Sequence, residues 1–161
     1  MKSIIIGSVF FISLSGCNVS NTDKTPPLDL PALKGKIKLD IPAQSAAWEI
    51  FGTPEYKGGV PGPTDLQTLV AEIELPRSNS NSKLDLPMAG EIFVAPESAR
   101  EWLSPDFKEL MKRTRNSKED MGRKHGCFRY ETTITASGRA VSGFVCVASN
   151  KALLYLTLDQ R

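Results

Sequence analysis

The sequence contains little of what most catalytic and metal sites are built from. Its 161 residues include one histidine, His125, and three cysteines. A Ser-His-Asp or Cys-His arrangement would have to use that histidine, no Gly-x-Ser-x-Gly elbow occurs in the sequence, and transition-metal sites need several histidines or cysteines. We therefore predict no catalytic residue, no cofactor and no metal site, and we interpret His125 as a solvated loop residue.

A large charge excess and a long apolar run are also missing. The chain has 20 Lys and Arg against 18 Asp and Glu, so its overall charge favours no particular partner. The apolar stretch from Ile4 to Leu14 is shorter than the roughly 20 residues that a spanning helix needs. It follows a charged start, Met1-Lys2, which is typical of a secretion signal.

The end of this apolar stretch carries a recognisable motif. Leu14-Ser15-Gly16-Cys17 resembles the lipobox of bacterial lipoprotein precursors, in which an aliphatic and two small residues precede a cysteine. The resemblance implies that residues 1–16 are a signal peptide and that Cys17 is the lipidated first residue of the mature protein. Several acyl chains give stable anchoring, since each buried methylene adds about 0.8 kcal/mol. Asn18, rather than Asp, at the next position implies the outer membrane, facing the periplasm.

Assigning Cys17 to lipid leaves two cysteines, Cys127 and Cys146. An even remainder in an oxidising compartment favours a disulfide between them, and two buried, reduced cysteines are the alternative. If Ser137-Gly138 forms a two-residue hairpin turn, the two cysteines share a face of the sheet but are offset by two positions. A bulge or a longer loop would bring them opposite each other.

The rest of the sequence predicts a tether followed by one domain. Residues 17–35 are rich in proline and small polar residues and predict a flexible tether, so residues 36–161 form the globular domain. Its size suits a single core. Period-2 alternation and turn chemistry predict strands at 36–41, 46–51, about 67–75, 91–95, 127–135, 139–148 and 152–158.

One helical segment interrupts these strands, at about residues 97–115. Ser104-Pro105-Asp106 offers an N-cap, a proline at the first helical position and an acid in the first turn. A short turn before it would place Trp102 and Leu103 against the same core. We therefore predict an α+β fold, a mostly antiparallel sheet of five to seven strands with a C-terminal three-stranded meander.

A local excess of positive charge follows the helix. Residues 108–130 contain eight Lys and Arg against three acids, and basic residues at a helix C-terminus also complement its dipole. The functional interpretation is a patch for an anionic envelope component or an acidic protein surface. With Tyr56 of the Gly- and Pro-rich 52–64 loop, the candidate binding surface comprises Lys112, Arg113, Arg115, Arg123 and Lys124.

These observations favour a lipid-anchored, non-enzymatic binding protein of the bacterial envelope. Its partners would be the membrane, through the anchor, and a protein or anionic component, with no nucleic acid. One specific form is an immunity-type inhibitor of an antibacterial toxin. The alternatives are an envelope assembly or accessory lipoprotein and a carboxylate-dependent envelope hydrolase, whose acids would come from Glu49, Glu55, Glu72, Glu74, Asp85 and Glu91.

Overall fold

The computed structural model describes residues 26, 28–55, 66–77 and 85–158. The elements in chain order are α1 (Leu30–Lys36), β1 (Ser45–Thr53), β2 (Leu66–Glu74), β3 (Glu91–Val94), a 3-10 turn (Pro96–Ser98), α2 (Pro105–Thr114), β4 (Ser117–Asp120), α3 (Met121–His125), β5 (Phe128–Thr133), β6 (Ala140–Ala148) and β7 (Lys151–Thr157). The signal peptide, Cys17 and Tyr56 lie outside the described residues.

The fold is α+β, as predicted. An antiparallel five-stranded sheet has the order β1-β2-β7-β6-β5, and β3 and β4 form a separate two-stranded sheet. The C-terminal meander of β5, β6 and β7 is confirmed. None of the helices within the described ranges is long and apolar enough to cross a membrane.

Each face of the five-stranded sheet buries its own core. One face carries Leu69, Val145 and Leu156 and packs against Leu33 of α1 and Ile37. The other face carries the stacked rings of Phe144 and Tyr155 and packs against α2, β3 and Met121 of α3. The described domain is therefore three layers deep, with the sheet in the middle. We call the second face, which carries Phe144 and Tyr155, the inner face.

The N-terminal boundary of the domain was predicted wrongly. Residues 30–35 belong to α1 rather than to a tether, because the Asp29 side chain caps the helix by accepting from the Ala32 N–H at 2.8 Å and Leu33 is fully buried. The predicted strand at 36–41 is also wrong. Lys36 ends the helix, and Ile37 makes only an isolated bridge to Ile134.

The helical prediction was correct in place but incomplete. Ser104 is the N-cap of α2, Pro105 opens the helix, and Leu103 is buried against the core with Trp102 beside it. The basic stretch after α2, however, folds into β4 and α3. Asp120 caps α3 by accepting from the Arg123 N–H at 2.9 Å, and Gly126 ends it with a φ of 69°.

Candidate functional site

The predicted basic residues do not form one cluster. Lys112 and Arg113 lie in the last turn of α2 with Arg115 just after it, whereas Arg123 and Lys124 lie in α3. The four residues of β4 separate the two groups, which corresponds to roughly 13 Å of extended chain.

Internal ion pairs distinguish these cations. Arg113 pairs with Glu109 at 3.9 Å, Arg123 with Asp120 at 3.4 Å and Lys124 with Glu119 at 2.7 Å. The hydrogen bond from Lys124 to Glu119 and the negative charge of Glu119 raise the pKa of Lys124 above its ordinary value. Among the described residues, Lys112, Arg115 and Lys118 form no ion pair, and all three side chains are exposed. Within residues 108–130, these three cations are the ones left to meet an outside anion.

Lys118 sits beside an exposed aromatic residue that the sequence analysis did not single out. Lys118 of β4 is directly opposite Phe93 of β3, whose side chain is 38% exposed. Aromatic residues and arginine are enriched where proteins recognise other proteins, whereas lysine is depleted there. We call Phe93, Lys112, Arg115 and Lys118 the ribbon surface, after the two-stranded sheet that carries part of it.

A groove lies on the other side of β3. Its volume is about 280 Å³, and Gly90, Glu91, Ile92, Arg129, Ser142 and Gly143 line it. Arg129 at its rim pairs with Glu131. The groove therefore lies between β3 and the β5 and β6 end of the inner face.

Two of the candidate hydrolytic acids do converge, but on a cation. Glu49 and Glu55 both bind Arg100, with Nε to Glu49 at 2.9 Å and Nη1 to Glu55 at 3.1 Å. The guanidinium carbon lies 4.9 Å from the centre of the Phe51 ring. Burial lowers the pKa of Arg100, but hydrogen bonds and the charges of Glu49 and Glu55 outweigh it, so the pKa is raised. These contacts hold Arg100, which follows the 3-10 turn, against Glu49 and Phe51 of β1.

Two of the other candidate acids have partners of their own, and Glu72 lies diagonally across from Glu49 on the neighbouring strand. Glu72 binds Lys151 Nζ at 2.6 Å and the Ser104 N–H at 2.7 Å. Glu74 accepts from Ser45 Oγ at 2.7 Å. Asp85 and Glu91 are exposed. Within the described ranges, no group of three or more His, Cys, Asp and Glu side chains is arranged to hold a metal ion.

The two remaining cysteines are joined. Cys127 and Cys146 form a disulfide with a Cα–Cα distance of 4.3 Å, and both side chains lie in the core of the inner face. Comparison with known proteins adds no relative: no family model, no curated protein and no solved structure matches this chain.

Proposed function

We propose that this protein is a lipid-anchored binding protein of the bacterial envelope, facing the periplasm from the outer membrane. It acts by surface complementarity on an acidic protein, and an immunity-type inhibitor of an antibacterial toxin is the specific form we favour. The observation that carries the binding role is the ribbon surface, where Lys118 lies opposite the exposed Phe93 ring and two further exposed cations, Lys112 and Arg115, form no ion pair with the described residues.

The export part of the proposal has two independent supports. The lipobox-like Leu14-Ser15-Gly16-Cys17 supplies an acyl acceptor. The disulfide between Cys127 and Cys146 suits an oxidising compartment and is uncommon in the reducing cytosol. Both features agree with a domain that works outside the cytoplasm.

A mutation of Cys17 tests the anchor. Cys17→Ala should abolish labelling with radioactive palmitate and move the protein out of the membrane fraction. Cys146→Ala, which removes a cysteine outside the lipobox, is the matched control and should keep its acyl label. If Cys17→Ala is still labelled, the lipoprotein proposal is wrong.

A charge reversal tests the ribbon surface. Lys112→Glu with Arg115→Glu should weaken capture of an acidic partner, with the largest loss at low salt, since exposed charges are screened as salt rises. The control reverses Arg113 and Arg123, which already have internal acidic partners, and should lose less. Equal binding by all three proteins at low and moderate salt would contradict the proposal.

A further inference from the structure

The C-terminal end of α1 carries three lysines. Lys34 and Lys36 lie in the last turn of the helix, Lys38 follows two residues after its end, and all three side chains are exposed. None of them forms an ion pair with another residue that the structure describes. We call Lys34, Lys36 and Lys38 the lysine surface.

The end of the helix does not need these lysines to satisfy its backbone. The Lys36 carbonyl accepts from the Thr135 N–H at 2.9 Å, and the Lys34 carbonyl accepts from the Thr135 hydroxyl at 3.2 Å. The Leu33 carbonyl accepts from the Ile37 N–H at 3.0 Å. Basic side chains often bond the last carbonyls of a helix. Here other groups make those bonds, so the ammonium groups are left to the solvent.

Few acids offset this charge. Asp40 is the only acid between residues 30 and 44, and the adjoining loop between β5 and β6, residues 134–139, contains none. Asp29 caps the opposite end of α1. Three positive charges against the single negative charge of Asp40 leave a local excess of two, which favours an anionic partner.

The lysine surface also lies close in the chain to the proposed anchor. The chain enters the described fold at Leu28, which bridges to Ala47 of β1 two residues before α1 begins. Cys17 is 11 positions before Leu28, a separation that an extended chain spans in at most about 40 Å. The ribbon surface belongs to the opposite layer of the domain. A membrane that holds Cys17 is therefore kept within reach of α1.

The composition of the lysine surface suits lipid headgroups better than a protein. Protein interfaces centre on buried aromatic and other apolar anchors and are depleted in lysine. Among the described residues from 30 to 44, no large apolar side chain is exposed. Headgroup contact needs only charge, because lysines near an anionic lipid surface are attracted without any shaped pocket.

We propose that the lysine surface docks on the anionic phospholipid headgroups of the membrane that holds Cys17, so that the ribbon surface faces away from the bilayer. The anchor makes this contact intramolecular, and a contact that is weak in a free domain becomes populated at the high effective concentration of a short link. This inference rests on the proposed function, which supplies the anchor, and adds the orientation of the domain.

Lysine acetylation on vesicles of defined charge tests this orientation. The mature chain, residues 17–161, has one thiol outside the Cys127–Cys146 disulfide, that of Cys17, which can be coupled to a maleimide lipid in the vesicle. Vesicles of phosphatidylcholine alone are compared with vesicles of equal parts phosphatidylcholine and phosphatidylglycerol. Mass spectrometry gives the acetylation rate of each lysine at low and high salt.

We expect each member of the lysine surface to react about five-fold more slowly on the anionic vesicles, the factor that corresponds to about 1 kcal/mol for one lysine near the surface. The slowing should disappear at high salt, which screens exposed charges. Lys112 and Lys118 of the ribbon surface are the internal control and should react equally on both vesicles. Equal rates on the two vesicles throughout the lysine surface, or the same slowing at Lys112 and Lys118, would overturn the proposal.

Paired variants establish that charge causes the protection. With Lys36→Gln and Lys38→Gln combined, Lys34 on anionic vesicles should react as fast as it does on phosphatidylcholine. Lys112→Gln with Lys118→Gln is the matched control and should leave Lys34 protected. All four substituted side chains are exposed, so little packing is lost. If Lys34 stays protected when its two neighbours are neutral, headgroup charge does not explain the contact and the proposal is wrong.

The coupled anchor separates this inference from the proposed function. Unprotected lysines on anionic vesicles refute the docking, even if cells label Cys17 with palmitate and the ribbon surface captures its partner. Protected lysines without palmitate labelling in cells support the affinity for anionic lipid and refute the anchor in the proposed function. If envelope extract protects these lysines on phosphatidylcholine vesicles and phosphatidylglycerol does not, the lysine surface binds a protein and the docking is wrong.

Discussion

Cys127 and Cys146 lie directly opposite each other across β5 and β6, with Cα atoms 4.3 Å apart. They continue the register in which Phe128 faces Val145. A Cα separation near 4.5 Å is that of a non-hydrogen-bonded antiparallel pair. The disulfide therefore joins two side chains that the sheet already holds together, and it ties the start of β5 to the core of the inner face.

Removing this disulfide should destabilise the domain. The bond closes a loop with a sequence separation of 19, for which the chain-entropy relation gives about 3 kcal/mol. Urea unfolding of Cys127→Ala with Cys146→Ala, compared with the wild type, measures the loss. Mass spectrometry of non-reduced protein from the periplasm is the direct check, and two free thiols there would contradict the bond.

Glu72 should make stability depend on acid pH. Burial raises the pKa of Glu72, but hydrogen bonds from Lys151 and from Ser104 outweigh it, so the folded pKa lies below the ordinary 4.5. Its contribution is complete above the unfolded pKa and is lost as the pH falls through the lower, folded pKa. Glu72→Gln should therefore be less stable than wild type at pH 7 and approach it as the pH falls through the folded pKa.

Glu74→Gln is the control for this prediction, because Glu74 bonds the Ser45 hydroxyl rather than a lysine. Unfolding by urea across the pH range gives the measurement. A deficit of Glu72→Gln that is the same at neutral and acid pH would show that lost packing, not the carboxylate charge, explains it.

Replacing Arg100 should destabilise the fold more than replacing an exposed arginine such as Arg113. Its side chain is 18% exposed and holds Glu49 and Glu55, which are 30% and 33% exposed. Arg100→Met leaves both carboxylates without this partner, and because water still reaches them we expect a loss of about 1–3 kcal/mol. Arg113→Met, at a pair with both side chains 64% exposed, should stay within about 0.5 kcal/mol. Similar losses in the two variants would refute a special role for Arg100.

Gly143 has no room for a side chain. A Cβ there would lie 1.9 Å from the Tyr155 carbonyl oxygen, a backbone atom that the sheet holds in place. Gly143→Ala should cost about 1–3 kcal/mol or more through overpacking, whereas Gly35→Ala, with nothing within 4 Å, should not destabilise the fold in this way. Thermal unfolding of the two variants compares them, and a wild-type melting temperature for Gly143→Ala would contradict the close approach.

Strong local patterns made much of the fold predictable. The meander and β1 follow period-2 alternation, and α2 follows the Ser104-Pro105 start. Helix-capping signals were also present in two other places and were missed. Asp29 and Pro31 begin α1, and Asp120 and Gly126 lie at the two ends of α3. Both helices are short, at 7 and 5 residues, so apolar periodicity is weak over so few positions.

Register and site geometry depend on contacts distant in sequence. The two-residue turn at Ser137-Gly138 predicted a disulfide offset by two positions. The strands instead continue to the Ile134 N–H, which donates to the Arg139 carbonyl at 2.9 Å, so the loop is longer and the cysteines face each other. The turn after β6 is Ser149-Asn150, because Ala148 pairs with Lys151.

The candidate site was likewise predictable only in part from the sequence. Charge counting located the basic residues, but only the structure separates Lys112 and Arg115 from cations with internal partners. No local sequence pattern identified Phe93, because its neighbour Lys118 lies on another strand, 25 positions later in the chain. The groove depends on Gly90 and Ser142, which no local pattern relates.

Photocrosslinking in cells of the native host tests the central claim most directly. A benzophenone amino acid at Lys118, in the ribbon surface, should give a discrete crosslinked protein in the envelope fraction. Lys34, an exposed position on α1 in the opposite layer, is the matched control and should not give it. The product should disappear when Lys112→Glu and Arg115→Glu are combined with the probe. Identical products from Lys118 and Lys34, or a Lys118 product that survives the charge reversal, would contradict a binding protein that acts through this surface.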